Sequence, residues 1–544
     1  MPLSNILGAG KLVSMTSLFA PAFFALFLPF CIITYALVPK KLKKYFLLVA
    51  SYGFFWFVSG TLVIYLAATT LSMHYFGIWL DYTQGKMKSA MSQAEKEIKK
   101  VVKKRYITTQ RYIVLMAVSL NIGVLLLLKY SKFFTVNIND LLAFMKVPLV
   151  IEIPKYLLPI GISFFTLQSL SYIFDVYRGV TKADENLFRL ALFLSFFPII
   201  VEGPICRYNQ IAEELWDAKP ITYRNLTLGL QRFLFGMMKK IVIADRLNPF
   251  VKVIFKDYAN YEGGVIAFAA VCYTVQLYMD FSGSMDAVLG VSQIFGITVP
   301  ENFKRPFFSK SISEFWKRWH ITLGMWFRDY VFYPITTSGK MKKLTASARK
   351  KIGNHYGPLV AGSIALFSVW ICNGLWHGSA WNFVFFGMYH FALILCGNLI
   401  SPVVKSFNHR FKINPQWFFY RLLQMVRTSV LVVIGELFFR AEGLKNGLQM
   451  FRKMITDFSF SSLNTDMLIK CGVDYLDFVI AGAILIIIFI ISVLNEKGIE
   501  VRETLAKKNI FLRWGVYYIL ILIIVIFGAY GIGYAPVDPL YAQF

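Results

Sequence analysis

Long apolar runs recur along the whole chain, and polar or charged residues separate each run from the next. Most runs contain roughly 18 to 25 residues, enough for a helix to cross a hydrocarbon core of about 30 Å. The pattern predicts membrane-spanning helices near 16–38, 45–59, 61–80, 112–130, 156–177, 187–202, 226–254, 264–280, 357–372, 379–399, 417–439, 474–495 and 511–530. Between the eighth and ninth of these, residues 284–336 mix apolar stretches with charges, which predicts short or re-entrant helices.

These elements predict an all-α polytopic membrane protein with about 11–13 transmembrane helices plus short re-entrant or interfacial helices. With no internal repeat and no linker, 1–544 is expected to be one membrane-embedded unit. Its parts are the N-terminal spans and a basic loop (1–150), a central region (155–395) and the C-terminal spans (400–544). The first run is followed by lysines rather than by a small-residue cleavage site, so that span is expected to stay in the mature protein.

Clusters of lysine and arginine between the apolar runs predict the orientation. Positive residues cluster at 40–44, at 81–111 and at 340–351, and such loops face the cytoplasm in polytopic proteins. Alternating the spans from these loops puts residues 373–378 at or below the outer surface. The same alternation puts both the N-terminus and the C-terminus outside.

The basic loop 81–111 carries a second pattern. Met87, Met91, Ala94, Ile98 and Val101 recur at steps of three and four, which predicts a helix with one apolar stripe. We expect this helix to lie on the inner leaflet, with its lysines reaching anionic membrane lipids. The alternative is a solvated charged loop.

Composition supports the membrane interpretation. The 544 residues are 57% hydrophobic, with a mean hydropathy of +0.57 and a formal net charge of +27. Nucleic-acid binding is one explanation of such a charge. However, the charges lie between apolar runs, which favours cytoplasmic membrane loops, and no nucleic-acid partner is expected. The six cysteines show no metal-binding spacing and are expected to be small buried hydrophobic residues.

Histidine is rare in this chain, and four of the six histidines need no functional explanation. His355 and His409 lie in basic loops. His74 and His390 occur singly within apolar spans, where a hydrogen-bonded structural role is the expectation.

The other two histidines, His320 and His377, are candidates for catalysis. His320 lies in a tryptophan-rich segment, and His377 lies in Gly374-Leu375-Trp376-His377-Gly378, where the glycines would let the backbone turn and a substrate approach. Placing an ionisable group at membrane depth costs about 2.5–3.5 kcal/mol on insertion scales, so its presence suggests a use. An imidazole can accept a proton from an attacking hydroxyl and return it to a leaving group.

Motifs of several other enzyme classes are absent from the sequence. There is no Gly-x-Ser-x-Gly elbow, no His-Glu-x-x-His motif and no Gly-Lys-Thr phosphate loop. A zinc site built from His320, His377 and an acid is the disfavoured alternative because no ligand spacing supports it, and no metal is expected.

Six motifs occur in order between roughly 155 and 395. They are Gly161-Ile162-Ser163-Phe164-Phe165 continuing to Arg178-Gly179, Glu202-Gly203-Pro204-Ile205 with Arg207-Tyr208, Asp280-Phe281-Ser282-Gly283 with Asp286, Asn302-Phe303 with Arg305-Pro306-Phe307, the His320 segment continuing to Arg328-Asp329-Tyr330, and the His377 pentapeptide. In these motifs the sequence resembles the membrane-bound O-acyltransferase family. Within it, the chain looks most similar to the bacterial branch that O-acetylates alginate, other exported polysaccharides or peptidoglycan. The teichoic-acid D-alanylation branch is related.

The resemblance implies a helical shell around a tunnel, with His377 as the principal catalytic residue and His320 as its partner. It implies transfer of an acyl group, most simply acetyl, to hydroxyls of an exported cell-envelope polysaccharide or peptidoglycan. The donor would be a cytoplasmic thioester, either acetyl-CoA or an acyl carrier protein, with no bound cofactor. The enzyme would be a multi-pass protein of the bacterial cell membrane, working with an extracytoplasmic esterase-like transferase.

The sequence leaves three alternatives open. Two of them are also acyl-transfer reactions: D-alanyl transfer to teichoic acid, and O-acylation of a lipid or protein. The third is a transporter without chemistry, which would normally show inverted repeats and half-helices that this sequence lacks.

Further polar and aromatic residues are candidates for the substrate path. Buried acids usually pair with cations, so Asp280, Asp286 and Asp329 are expected to pair with Arg305, Arg318 or Arg328. An orienting contact to a catalytic histidine is the alternative. The candidate substrate or tunnel residues are Trp316, Trp319, Trp376, Asp280, Ser282, Asp286, Arg318 and Asn373. The tryptophans could instead be packing residues and interface anchors.

The chain ends Pro539-Leu540-Tyr541-Ala542-Gln543-Phe544, which resembles the ending of the polysaccharide-acetylating branch. A phenol can be acylated once a base takes its proton, and the resulting aryl ester is more reactive than an alkyl ester. Tyr541 is therefore a third candidate catalytic residue, as an acyl relay on the outer side. The alternative is a loose terminal tail.

Overall fold

The computed structural model describes residues 17–154 and 156–530, and every regular element among them is a helix. The predicted all-α class is therefore confirmed for this part of the chain. Tyr541 and the rest of the C-terminal ending lie outside the described residues.

Eight helical stretches of the described residues are long and apolar enough to cross a membrane, which confirms a polytopic membrane protein. They are Lys40–Gln93, Lys99–Phe144, Gly263–Ile294, Gly339–His377, Trp381–Arg410, Phe418–Arg440, Tyr475–Glu496 and Ile510–Phe527. Eight is fewer than the expected number. The stretch Lys40–Gln93 contains two helices, Lys40–Ser59 and Val63–Gln93, which correspond to the separate predicted spans 45–59 and 61–80, and some other apolar runs form helices too short to cross.

The described residues group into two compact units. The first comprises the described residues up to Leu230 together with Val288–Pro300, and the second comprises Gln231–Ala287 and the described residues from Glu301 onward. The helices Tyr223–Met237 and Gly263–Ile294 each contribute residues to both. The expectation of one membrane-embedded unit stays a prediction.

The first unit is built mainly of apolar helices. Its helices are Ala22–Phe27 (π), Leu28–Leu37, Lys40–Ser59, Gly60–Leu62 (3₁₀), Val63–Gln93, Lys99–Phe144, Ile162–Arg178, Leu187–Ser195 and Tyr208–Asp217. Two of the predicted spans, 156–177 and 187–202, correspond to Ile162–Arg178 and Leu187–Ser195. The first of these helices is almost entirely buried, and the second is buried from Leu190 onward. In the loop between these two helices, Asp184 accepts hydrogen bonds from Arg189 at 2.6 Å and from the Tyr208 hydroxyl.

The predicted interfacial helix in the basic loop 81–111 is wrong. The helix that starts at Val63 ends at Gln93, Ala94 is extended, and the next helix starts at Lys99. The apolar stripe is therefore divided between the ends of two long helices, which pack against each other where Gln110 approaches the Met87 sulfur at 3.9 Å. Extending the two helices keeps their internal backbone hydrogen bonds, which a separate helix would have to start again.

The second unit contains both candidate histidines. Its helices are Met238–Ala244 (π), Asp245–Lys256, Tyr258–Asn260 (3₁₀), Pro306–Phe308 (3₁₀), Ile312–Arg318, Ile321–Phe327, Arg328–Phe332 (π), Tyr333–Thr336, Gly339–His377, Trp381–Arg410, Phe418–Arg440, Leu444–Thr456, Thr465–Lys470, Tyr475–Glu496, Val501–Ala506 and Ile510–Phe527. The five elements between Pro306 and Thr336 confirm the prediction of short helices in the mixed segment. Residues 284–294 instead complete the long helix Gly263–Ile294.

Glycines allow the helix Gly339–His377 to pack closely on the helix Trp381–Arg410. A Cβ atom on Gly387 would overlap the carbonyl oxygen of Trp370, and one on Gly374 would overlap that of Phe383. Close helix contact through small residues is a common way to pack helices in membranes. This contact fixes the end of the helix that carries His377.

Candidate active site

His320 occupies a tight turn between the short helices Ile312–Arg318 and Ile321–Phe327. Its backbone is left-handed, with φ at 45°, a conformation that is costly for a residue other than glycine. The turn is held because the backbone N–H of Ile321 donates to the carbonyl of Asn302 at 3.0 Å. The His320 side chain is 3% exposed.

The side chain of Asn302 holds the same turn. Its Oδ1 lies 3.0 Å from the backbone nitrogen of Thr322, 2.9 Å from Thr322 Oγ1 and 3.2 Å from His320 Nδ1. Asn302 is completely buried. Buried amide oxygens are expensive to leave without donors, so this arrangement both satisfies Asn302 and orients His320.

His377 is the last residue of the helix Gly339–His377 and is also 3% exposed. Its ring centroid lies 4.9 Å from that of Trp376, 5.1 Å from Phe439 and 5.9 Å from Phe386. The ring of Trp376 lies 5.4 Å from the ring of His320. The fold therefore brings His320 and His377 to the same tryptophan, although 57 positions separate them in the sequence.

The glycines beside His377 allow close packing of the neighbouring helix. Cβ atoms on Gly374 and Gly378 would overlap the backbone and the ring of Phe383, respectively. The space that the missing side chains leave is therefore filled by the next helix, which packs closely against the end of the helix that carries His377. Approach of a substrate to this turn stays a prediction.

Asn373 precedes His377 by one helical turn and is 6% exposed. Within the described residues its Oδ1 is buried and receives no hydrogen bond. An unsatisfied buried acceptor is costly, so this atom is suited to accept a hydrogen bond from a hydroxyl or amide of a substrate.

Burial also affects the acid–base state of His320, which lies outside the eight membrane-spanning helices. The rings of Phe281 and Trp376 lie edge-on to it, at centroid distances of 4.9 and 5.4 Å. Burial lowers the pKa of the His320 imidazole below its usual value, because the charged form loses its hydration. At neutral pH the ring is therefore uncharged, with a lone pair on one of its two nitrogens.

The tryptophans of the His320 segment make packing contacts. Trp319 stacks on Phe315 at a centroid distance of 5.4 Å. Trp316 packs on Trp370 and donates its indole N–H to His390 Nδ1 at 3.2 Å. This bond confirms the expected structural role of His390, whereas contacts of the tryptophans with a substrate stay a prediction.

The buried acids of the helix Gly263–Ile294 are paired, but not with the arginines that were expected. Lys240 lies 2.7 Å from both Asp280 and Asp245. Lys239 lies 2.7 Å from Asp286 and 3.3 Å from the hydroxyl of Ser282. The expectation that such acids pair is confirmed, and the named arginine partners of Asp280 and Asp286 are wrong.

The expected arginines have other partners. Arg305 and Arg318 share Glu496, at 2.6 and 3.0 Å, and Arg328 pairs with its neighbour Asp329 at 2.8 Å. Only the pairing of Asp329 thus agrees with the expectation. Arg318 lies at this ion-paired cluster, and its role toward a substrate stays a prediction.

Sequence reasoning missed three residues of this region: Asn302 as the partner of His320, and the lysines Lys239 and Lys240. The lysines lie on the π-helical segment Met238–Ala244. The wider turn of this segment lets the two adjacent lysines both reach acids on the helix Gly263–Ile294. A signal was present, because two consecutive lysines interrupt the apolar run 226–254. For Asn302 the only signal was its place in an asparagine–phenylalanine motif.

These observations define a class: an all-α polytopic membrane protein with two buried histidines packed on one tryptophan. The family model for MBOAT, the membrane-bound O-acyltransferase family, matches residues 50–348, more than half of the chain. The protein belongs to the membrane-bound O-acyltransferase family and is an acyltransferase. The matched residues include His320, and His377 lies beyond them.

Individual relatives extend the similarity along the chain. The chain is 32% identical over 446 residues to the probable alginate O-acetylase AlgI of Pseudomonas putida, which covers 81% of each protein. It is 28% identical over 361 residues to the peptidoglycan O-acetyltransferase of Helicobacter pylori, covering 62% of this chain and 63% of that protein. It is 31% identical over 283 residues to the teichoic acid D-alanyltransferase of Bacillus subtilis, covering 51% and 67%.

Proposed function

We propose that the protein transfers an acetyl group from a cytoplasmic thioester toward hydroxyls of an exported cell-envelope polysaccharide or peptidoglycan. The observation that carries this proposal is the pair of buried histidines on Trp376 in a member of an acyltransferase family. Similarity to an alginate O-acetylase over 81% of the chain favours acetyl as the group and a polysaccharide as the final acceptor.

In the proposed reaction, His377 accepts the proton of the attacking hydroxyl. At the same time, the hydroxyl oxygen bonds to the carbonyl carbon of the thioester. The carbon–sulfur bond then breaks, and the thiolate that leaves takes up the proton, so that an ester and a thiol are formed. His320 shares this proton transfer. Proton transfer by a positioned side chain typically contributes about 10²–10⁴-fold to the rate.

The donor is proposed to be acetyl-CoA or an acetylated carrier protein on the cytoplasmic side, with no cofactor held by the enzyme. A tunnel would let the acetyl group reach the outer side while the bulky donor stays inside. Membership of the family and the basic segments at 81–111 and 340–351 support this arrangement in a bacterial cell membrane. An extracytoplasmic esterase-like transferase would complete the transfer to the polymer.

Tyr541 is proposed as the acceptor of the acetyl group inside this enzyme. Its phenol would attack the thioester, release the thiol and later pass the acetyl group to the extracytoplasmic partner. Tyr541→Phe keeps the ring and removes only the oxygen, so polymer acetylation should stop. Acetylation at the wild-type rate in that variant would contradict the relay, whereas an acetyl-tyrosine found in the parent protein would support it.

The decisive experiment is mass spectrometry of the cell-envelope polymers from cells with and without the protein. Loss of acetyl esters from a polysaccharide or from peptidoglycan is expected. Loss of D-alanyl esters from teichoic acid would support the other activity found among the relatives. Unchanged polymers together with a lost acyl-lipid or acyl-protein would overturn the proposed acceptor.

A further inference from the structure

We propose that Asn302 is a positioning residue that keeps His320 in the Nδ1–H tautomer, so that Nε2 is the atom that accepts a proton. The role in catalysis rests on the proposed function, whereas the tautomer follows from the geometry alone. Nothing in the six motifs assigns this role to the asparagine.

The orientation of the Asn302 amide is fixed by a backbone group. The backbone N–H of Thr322 can only donate, and it points at the Asn302 side chain over 3.0 Å. The atom that faces it must therefore be the amide oxygen. With this orientation, the amide nitrogen of Asn302 faces the sulfur of Met285 at 3.3 Å, which is a weak acceptor.

The amide oxygen of Asn302 then determines which nitrogen of His320 carries the proton. His320 Nδ1 lies 3.2 Å from the same oxygen, which can only accept. A bare Nδ1 would put two lone pairs against each other in a buried site, and a protonated Nδ1 makes a hydrogen bond. Because the neutral imidazole carries one N–H, Nε2 holds the lone pair.

A second buried histidine, His390, shows that the surroundings of each ring determine its tautomer. The indole N–H of Trp316 can only donate, and it lies 3.2 Å from His390 Nδ1. His390 is fully buried, so its neutral ring accepts at Nδ1 and carries its proton on Nε2. His320 and His390 thus have opposite tautomers. Each tautomer is fixed by a partner that can act only as an acceptor or only as a donor.

Asn302 also holds the backbone that presents His320. The left-handed conformation of His320 costs of order 1–3 kcal/mol and persists only where the surroundings impose it. The Asn302 carbonyl accepts from Ile321, and its side-chain oxygen accepts twice from Thr322. Asn302 therefore fixes the backbone turn at His320, the orientation of the imidazole ring and the nitrogen that carries its proton.

The tautomer is directly measurable by nitrogen NMR of the full-length protein labelled with ¹⁵N-histidine in lipid bilayers. Protonated and bare imidazole nitrogens have well-separated chemical shifts, and His320→Gln and His390→Gln identify the two rings by loss of their signals. We expect a protonated Nδ1 in His320 and a protonated Nε2 in His390. A protonated Nε2 in wild-type His320 would overturn the proposal. This measurement needs no activity, so it stands even if the proposed function fails.

The catalytic role is tested with Asn302→Leu, which removes the acceptor, and Asn302→Asp, which keeps it. Acetyl transfer is measured in membrane vesicles with radiolabelled acetyl-CoA and with an acetylated carrier protein, using the donor that supports wild-type transfer. For Asn302→Leu we expect kcat to fall about 10- to 100-fold, which is part of the rate enhancement that a general base supplies. KM should change less than about threefold. Asn302→Asp should recover much of the rate, with a pH profile displaced to higher pH because a carboxylate stabilises the imidazolium.

Asn121→Leu is the matched control, because Asn121 is also a buried amide. It lies in the helix Lys99–Phe144, and its nitrogen donates to the carbonyl of Ala117 at 2.9 Å. This variant reports the general cost of exchanging a buried asparagine for leucine. Wild-type kcat in Asn302→Leu would overturn the positioning role. Equal losses in the Leu and Asp variants without a displaced pH profile would also overturn it and indicate a purely structural residue. Absence of transfer by the wild type with either donor would count against the proposed function alone.

Discussion

At the scale of single residues, the two candidate histidines are distinguished from His390 by what surrounds them. His390 accepts from Trp316 and packs on Trp370 at a centroid distance of 5.5 Å, as a structural histidine does. His377 ends its helix with aromatic rings on several sides, and His320 sits in a strained turn. Strained backbone conformations are concentrated at functional sites, which favours His320 for chemistry. His377 is favoured because its ring packs on Trp376, which also contacts His320.

The first prediction at this scale concerns His377→Ala. Removing the imidazole should lower acylation of the envelope polymer by at least about 10²-fold, while the amount of protein in the membrane stays unchanged. Mass spectrometry of the polymer and immunoblotting of membranes measure the two quantities. His390→Ala is the matched control and should show the reverse pattern, with less protein and partial activity. Normal acylation by a well-expressed His377→Ala variant would contradict the catalytic role.

The second prediction concerns Asn373→Leu. Because no donor among the described residues satisfies its buried Oδ1, the exchange should leave the thermal unfolding temperature in detergent unchanged or slightly raised. Loss of one hydrogen bond to a substrate should lower kcat/KM about 2- to 10-fold. A clear loss of stability with unchanged kcat/KM would mean that Asn373 is a structural residue.

At the scale of helices, close packing and charge pairing position the site. Glycines bring the helices Gly339–His377 and Trp381–Arg410 together, and the π-helical segment Met238–Ala244 directs two lysines at acids on the helix Gly263–Ile294. Removing one member of a buried ion pair typically costs about 3–5 kcal/mol. The ion pairs of the buried acids therefore stabilise the packing of these helices, and contacts of the acids with a substrate stay a prediction.

A pair of glycines in one helix tests the packing argument. Gly387→Ala should destabilise the folded protein by about 1–3 kcal/mol, because the added methyl group meets the carbonyl oxygen of Trp370. Gly397→Ala is the control, since a Cβ atom there meets no atom within 4 Å, and alanine should stabilise that helix by up to about 1 kcal/mol. Unfolding in detergent, followed by circular dichroism, compares the two. Equal stability of both variants would contradict the close contact.

At the scale of the whole molecule, the basic segments predict which parts face the cytoplasm. The amphipathic helix Leu444–Thr456 and the segment 339–352, which precedes the helical kink at Gly353, lie on opposite sides in this prediction. If the orientation is correct, the acyl group is delivered toward the side where an exported polymer is found.

Two exposed positions test this orientation. A cysteine at Ser347 should react with a membrane-impermeant maleimide only after the cytoplasmic side is opened, and a cysteine at Thr456 should react in intact cells. The parent protein, which keeps its six native cysteines, gives the background. Labelling of both positions from the opposite sides would invert the orientation and remove the outer location of residues 373–378.

The sequence alone determined the class of protein, because length and hydropathy of the runs decide whether helices can cross a membrane. It also selected His320 and His377, since ionisable residues are rare and costly in such surroundings. Only the tertiary structure decided which residues meet. The pairing of Asp280 with Lys240 and the approach of Asn302 to His320 depend on helix packing and on the width of one helical turn, which hydrophobic patterns do not encode. The glycines beside His377 show the same limit. The sequence predicts that some group comes close to the backbone there, and only the packed helices show that Phe383 occupies the space beside Gly374 and Gly378.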